Sequence, residues 1–172
     1  MKLKFELNET KDGLVVAGGE DIKGKVAIPS EHEFEGNIYP VKEIGSFAFD
    51  RCEDIESIEV PSSVTKIGRC AFYGCISLES IIIPDSVTKI GEMAFARCKN
   101  LEHIDIPPLV TKIESCTFYG CENLTSFIVP DSVTKIGLDA FSDCKNMKEI
   151  VVNDASLLEN AGVPKGVKIV KS

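Results

Sequence analysis

Cys52, Cys75, Cys98, Cys121 and Cys144 stand 23 residues apart, and Phe49, Phe72, Phe95, Phe118 and Phe141 keep the same step. Pro61, Pro84, Pro107 and Pro130 keep it too. Units 41–63, 64–86, 87–109, 110–132 and 133–155 therefore tile without insertion or deletion. Self-similarity at a fixed period of roughly 20–50 residues signals a solenoid, in which each unit buries its apolar face against its neighbours. Such a chain needs no separate globular core, and 172 residues suffice for five units and two ends.

Every unit has the same parts. Val64-Thr-Lys-Ile-Gly68 predicts a short extended segment with Val64 and Ile67 facing inward. Gly45, Gly68, Gly91 and Gly137 follow that segment, and only Glu114 departs. A recurrent glycine there requires either a positive φ or a close backbone approach. Ala71-Phe72 and its equivalents predict a turn of helix, with the phenylalanines stacked along the axis. A strand follows, with Leu78, Ile81 and Ile83 inward and Ser80 and Ile82 outward. Pro84, which has no N–H for a ladder, ends it.

Residues 1–40 are expected to cap the first turn. Leu3, Phe5 and Leu7 alternate with polar residues, and Leu14–Ala17 should return as a hairpin partner that Gly18-Gly19 breaks. Lys25-Val-Ala-Ile-Pro29 has the form of the strand that ends each unit, and Phe34-Glu-Gly-Asn-Ile38 predicts a second small hairpin. At the other end, residues 156–172 are expected to close the stack. Ser156–Ala161 predicts a short helix with Gly162 after it, and Val167–Val170 a last strand. Lys165, Lys168 and Lys171 would keep that edge from pairing with another molecule.

The pattern Leu-x-x-Ile-x-Ile-Pro-x-x-Val-x-x-Ile-Gly-x-x-Ala-Phe-x-x-Cys, carried over about residues 25–155, resembles the BspA-type leucine-rich repeat. The resemblance implies a leucine-rich-repeat solenoid, β-rich with short helical turns: five 23-residue repeats between terminal caps. It further implies a bacterial, sometimes protozoan, protein, often on the cell surface, that binds host or neighbouring-cell proteins. It brings no catalytic residues. A structural or oligomerising array, or a cytoplasmic scaffold with no adhesive role, is the alternative. The start Met-Lys-Leu-Lys-Phe-Glu has no apolar run of signal length, so a native start at Met1 implies the cytoplasm. A signal peptide removed before it would imply the surface or the exterior.

The bulk numbers and the chemistry agree with a binding role. A net charge of −8 disfavours nucleic acid and anionic membrane surfaces, and no stretch reaches membrane-spanning length. The expected partner is a protein, host extracellular-matrix or surface proteins included, and the chain itself a monomer or weak self-associator. His32 and His103 are the only histidines, and Cys70…Cys75 and Cys116…Cys121 lack zinc spacing. No cofactor, metal or catalytic constellation is expected. Seven cysteines cannot all pair within one chain. Strands about 4.8 Å apart would bring neighbouring ladder cysteines within disulfide range, but their company of Phe and Leu suits small buried hydrophobes better. Cys70 and Cys116, two units apart, are the thiols expected to react.

Two rows remain as candidate surfaces. The outer row of the main strand carries Glu59, Ile82, Asp105, Ile128 and Val151 beside Ser57, Ser80, His103, Ser126 and Glu149. Its centre, Ser80, Ile82, His103, Asp105, Ser126 and Ile128, is the candidate protein-binding site. The competing explanation is that β-branched residues merely suit a pleated surface. The second row is Lys66, Lys89, Lys112 and Lys135 with Thr65, Thr88, Thr111 and Thr134. It is either an acidic partner's contact or a solvated face whose lysines splay toward Asp85 and Asp131.

Overall fold

The computed structural model describes residues 2–171. The chain winds into a β-solenoid in which equivalent residues of successive turns lie opposite each other. Strand β1 (Lys2–Leu7) pairs antiparallel with β2 (Leu14–Glu20). Gly18-Gly19 does not end β2; the ladder continues past it with a register shift opposite Lys4/Phe5, and Gly18 takes φ +135. β3 (Gly24–Ala27) starts the main strand stack, and β4 (Glu31–Phe34) forms the expected hairpin with β5 (Asn37–Ile44). Glu35 and Gly36, at φ 51 and 79, make its two-residue turn.

Two parallel stacks then run along the solenoid. One is formed by β3, β6 (Ile55–Glu59) and β8 (Ser80–Ile82), and resumes as β11 (Ser126–Ile128), β13 (Glu149–Val151) and β14 (Lys168–Val170). The other continues from β5 into the two-residue strands β7 (Lys66–Ile67) and β9 (Lys89–Ile90), and resumes as β10 (Lys112–Ile113) and β12 (Lys135–Ile136). The two interruptions overlap: the main stack is open from β8 to β11, the other only between β9 and β10. The main strand expected at His103–Asp105, next after β8, is not formed, and β9 does not pair with β10.

The core is the interior of the coil. Phe49, Phe72, Phe95, Phe118 and Phe141 are fully buried. Their rings stack nearly parallel at centroid distances of 5.3, 5.3, 5.8 and 5.8 Å. Phe127 stands where the other units have isoleucine, and packs at 5.0 and 4.8 Å against Phe118 and Phe141. Leu78 and Ile81 are buried as expected, and Ile83 is partly so.

The stretch around Ala-Phe is not helical. Phe47, Cys70, Met93, Cys116 and Asp139 all have φ between 51 and 60. Four residues on, Arg51, Gly74, Arg97, Gly120 and Asp143 are also left-handed. Left-handed residues at both ends forbid helix continuation. The backbone bonds outward instead, with Phe49, Phe72 and Phe118 donating to Ala71, Ala94 and Ala140 of the next turn at 2.8, 2.8 and 2.9 Å. The expected C-terminal helix is a single 3₁₀ turn, Ala155–Leu158, N-capped by Asp154. Gly162, at φ +69, lies beyond its end.

The recurrent glycine proves to be a matter of close approach. A Cβ on Gly68, Gly91 or Gly137 would lie 2.5, 2.6 or 2.4 Å from a backbone nitrogen of the preceding turn. None of the three has a positive φ. Positive φ appears at a different glycine: Gly74 and Gly120, at +69 and +70, lie under the Cγ of Arg51 and Arg97 at 3.4 and 3.5 Å from where a Cβ would sit. Arg97 reaches back over the Tyr73 ring at 5.9 Å.

Candidate functional site

The outward face of the main strands is set by the two-residue alternation of a pleated strand. Ser57, Ile58 and Glu59 lie opposite Ser80, Ile81 and Ile82, so inward residues stack on inward and outward on outward. The same register joins Ser126–Ile128 to Glu149–Val151. Of the six central residues, Ser80, Ile82, His103, Asp105, Ser126 and Ile128 are all exposed. Ile82 and Ile128 are 70 % and 58 % accessible, far beyond what a side chain of that size shows in a core. Val151 and Glu149, at the C-terminal end of the row, are half-buried.

His103 and Asp105 share the outer face, with Nε2 3.0 Å from Oδ1. They do so on a segment outside the sheet, so the face is two strand patches joined by a non-strand stretch rather than five equal strands. The patches also reach further toward the N-terminus than the expected row. Lys25 and Ala27 of β3 lie opposite Ser57 and Glu59. With Ser80 and Ile82 they line a shallow, open depression. The signal for these two was present in Lys25-Val-Ala-Ile-Pro29, but the nine extra residues before Val41 hid their place in the row. At the far end Lys168 bonds Glu149 at 2.9 Å.

Two of the four lysines in the row are paired, although not with Asp85 or Asp131. Lys66 pairs with Glu43 at 2.8 Å, and Lys112 with Glu114. Asp131 instead accepts a hydrogen bond from Asn153 at 3.2 Å. A third charged row, not anticipated, alternates sign: Lys99 and Lys145 flank Glu122 at 3.3 and 3.1 Å. Lys145 first, then Lys99, holds the Glu122 carboxyl below the usual carboxylate range. These are surface pairs of small energetic weight.

All seven cysteines are free thiols. Cys75, Cys98, Cys121 and Cys144 are fully buried, and each donates its S–H to the carbonyl of a phenylalanine one turn earlier, at 3.1–3.2 Å. That explains cysteine at this place: it fills a small apolar space and also satisfies a buried carbonyl. Burial pushes the Cys75 and Cys144 thiols up to about 12 and those of Cys98 and Cys121 well above their ordinary value. Cys70, expected to be open, is only 5 % accessible, whereas Cys116 and Cys52 are half-buried. Native-state thiol titration at neutral pH is therefore expected to modify Cys116 and Cys52 first and to leave the four buried thiols unlabelled. Uniform labelling of all seven would contradict this arrangement.

Among the described residues no group of three or more His, Cys, Asp or Glu is disposed to hold a metal ion. Among the described residues no helix is long and apolar enough to cross a membrane.

The comparisons agree with this geometry. The chain superimposes on the crystal structure of a leucine-rich repeat protein from T. pallidum with a TM-score of 0.81 and 28 % identity, covering 98 % of this chain and 83 % of that one. A leucine-rich cell surface protein from Faecalibacterium prausnitzii gives 0.76 and 28 %, with 99 % of this chain matching 49 % of that one. A leucine-rich repeat protein from Bacteroides capillosus shares the fold at 0.52 and 20 % identity. The search of curated protein sequences found no match. The family model for the BspA type leucine rich repeat region matches residues 40–160 in six copies, one more than the five units counted from the cysteine step. The chain belongs to the BspA-type leucine-rich repeat family.

Proposed function

We propose that the protein is a non-enzymatic binding module whose outer strand face, centred on Ser80, Ile82, His103, Asp105, Ser126 and Ile128, docks another protein. Residues 1–40 and 156–172 serve as its caps. The observation that carries this reading is the exposure of Ile82 and Ile128 at 70 % and 58 % on a face otherwise made of small and polar side chains. A row that varies between units over a constant core is how a repeat scaffold carries different contacts. The partner class that fits is a surface or extracellular-matrix protein, giving an adhesive role. Supporting this, the F. prausnitzii relative is described as a cell surface protein.

The test is a binding screen of the purified protein against matrix and surface proteins, repeated with variants. Ile82→Glu with Ile128→Glu is expected to weaken binding at least tenfold, since interface energy concentrates in buried apolar anchors near the centre. The melting midpoint should barely move, because exposed substitutions usually stay within about 0.5 kcal/mol. Lys89→Glu with Lys112→Glu is the control on the other row. Loss of binding in the control but not in the strand variant assigns the contact to the lysine row.

A second reading, an end-to-end oligomer, has one observation in its favour. β14 is an open sheet edge on which Ile169 is 44 % accessible. Light scattering over a range of concentrations separates the two readings, because only the oligomer gains mass.

A further inference from the structure

On the short-strand side the backbone rungs that tie each turn to the next are nearly uniform, except between residues 87–109 and 110–132. At the other junctions the residue after the short strand donates to the turn before it: Gly68 to Ile44, Gly91 to Ile67 and Gly137 to Ile113, at 2.8–2.9 Å. Thr88 and Thr134 do the same toward Thr65 and Thr111 at 3.0 and 2.9 Å. Neither Glu114 nor Thr111 has such a bond among the described residues. The side-chain rungs stop there as well. Ser86 and Ser132 hydroxyls donate to Val64 and Val110 at 2.7 and 2.8 Å, but the residue in that place at 109 is leucine, 55 % accessible. The main strand is missing here too, although its gap reaches one turn further back, since residues 103–106 join neither β8 nor β11; among the described residues only this junction lacks the rungs of both stacks.

The opposite side of the same junction is intact. Met93, Phe95 and Arg97 donate to Ser115, Thr117 and Tyr119 at 3.1, 3.0 and 2.6 Å. Cys121 still reaches the Phe95 carbonyl at 3.2 Å. The turns are thus fastened along the phenylalanine side and parted along the strand side.

The cause lies in one residue. Glycine is used after the short strand because the preceding backbone leaves no room for a Cβ. Glu114 has one, so its turn must stand off from the turn before it. Thr117 replaces the alanine of the other units, and its hydroxyl closes on the Glu114 carbonyl at 2.7 Å, stabilising the displaced turn internally.

We propose that this junction is a built-in hinge, at which the solenoid divides into two cooperative units, residues 2–109 and 110–171. In a repeat array, stability is a sum of unit terms and nearest-neighbour interface terms, so one weak interface splits the cooperativity. The smaller C-terminal unit opens first, swinging on the phenylalanine side. The hinge exists whether or not the strand face binds a partner.

Native-state hydrogen exchange of the full chain in increasing urea, followed amide by amide, tests this. Thr134, Gly137 and Phe141 are expected to fall on one isotherm, at least tenfold less protected than that of Gly68, Phe72 and Gly91. Glu114→Gly should restore the missing rungs and bring the two isotherms together. Glu114→Gln, which keeps the Cβ and removes the charge, should leave them apart. A single isotherm in the wild type, a gap unchanged by Glu114→Gly, or a gap closed by Glu114→Gln would each overturn the proposal.

Discussion

Phe95→Ala is expected to destabilise the protein by about 3–5 kcal/mol, the range for deleting a buried aromatic ring. The ring has no exposure and touches two others, at 5.3 and 5.8 Å, so its removal leaves a cavity that both neighbouring turns border. The loss includes the ring–ring contacts as well as the burial. The solenoid cannot collapse to fill the gap, because each turn is pinned by backbone rungs immediately beside it: Phe95 donates to Thr117 at 3.0 Å and Phe72 to Ala94 at 2.8 Å. At roughly 2–4 °C per kcal/mol for a chain of this size, the melting midpoint should drop by about 10 °C. An unchanged midpoint would show that the stack does not hold the array together.

Stability is expected to fall steeply above pH 9. Desolvation raises the folded-state pKa of the buried Cys75 and Cys144 thiols from an ordinary 9.0 to about 12, and those of Cys98 and Cys121 well above the ordinary value. A group raised in this way leaves stability unaffected below its unfolded pKa. Above it the unfolded thiol ionises while the folded one does not, and the unfolded state gains. The decline therefore begins near pH 9 and continues until the folded thiols ionise too. One pH unit above the unfolded pKa, each thiol favours unfolding by about 1.4 kcal/mol, and four together by about 5–6 kcal/mol. Urea midpoints measured with reductant at pH 7.5 and pH 10 should show the difference. Cys98→Ala should lose about a quarter less stability between the two pH values than the parent. An equal decline in both would mean that the ladder thiols do not cause it.

The interior was legible in the sequence because its positions admit one size of side chain each. Phe and Cys recur at an unbroken step of 23 since any other residue would leave a void or a clash against both neighbours. The outward exposure of Ser80, Ile82, Ser126 and Ile128 followed from strand alternation in the same way. What escaped was set between turns rather than within them. Phe47, Cys70 and Met93 carry no local mark of a left-handed backbone; the conformation is imposed by bonds to the following turn, such as Cys70 to Glu92 at 2.9 Å. That is why a helical turn was expected there. Glu114 was visible as a departure, but its effect depends on glycine serving for close approach rather than positive φ, which only the stacked backbone decides. The strand expected at His103–Asp105 pairs with neither neighbour, and its own residues do not foretell it. Lys66 meets Glu43 rather than Asp85 because in-register stacking places residues 23 apart face to face.

Arg51 and Arg97 each lie across the glycine of the following turn, Gly74 and Gly120, and Tyr73 and Tyr119 recur at the same interval. Seen this way the array is a string of doublets, each twice 23, or 46, residues long. A deletion of 46 residues is therefore expected to keep the arginine-on-glycine fit, and a deletion of 23 to lose it. Excising residues 64–109 sets Gly120 beneath Arg51 and preserves the arginine-on-glycine fit. Excising residues 64–86 alone brings Arg97 against Arg51, two guanidinium chains contending for a groove shaped to take one.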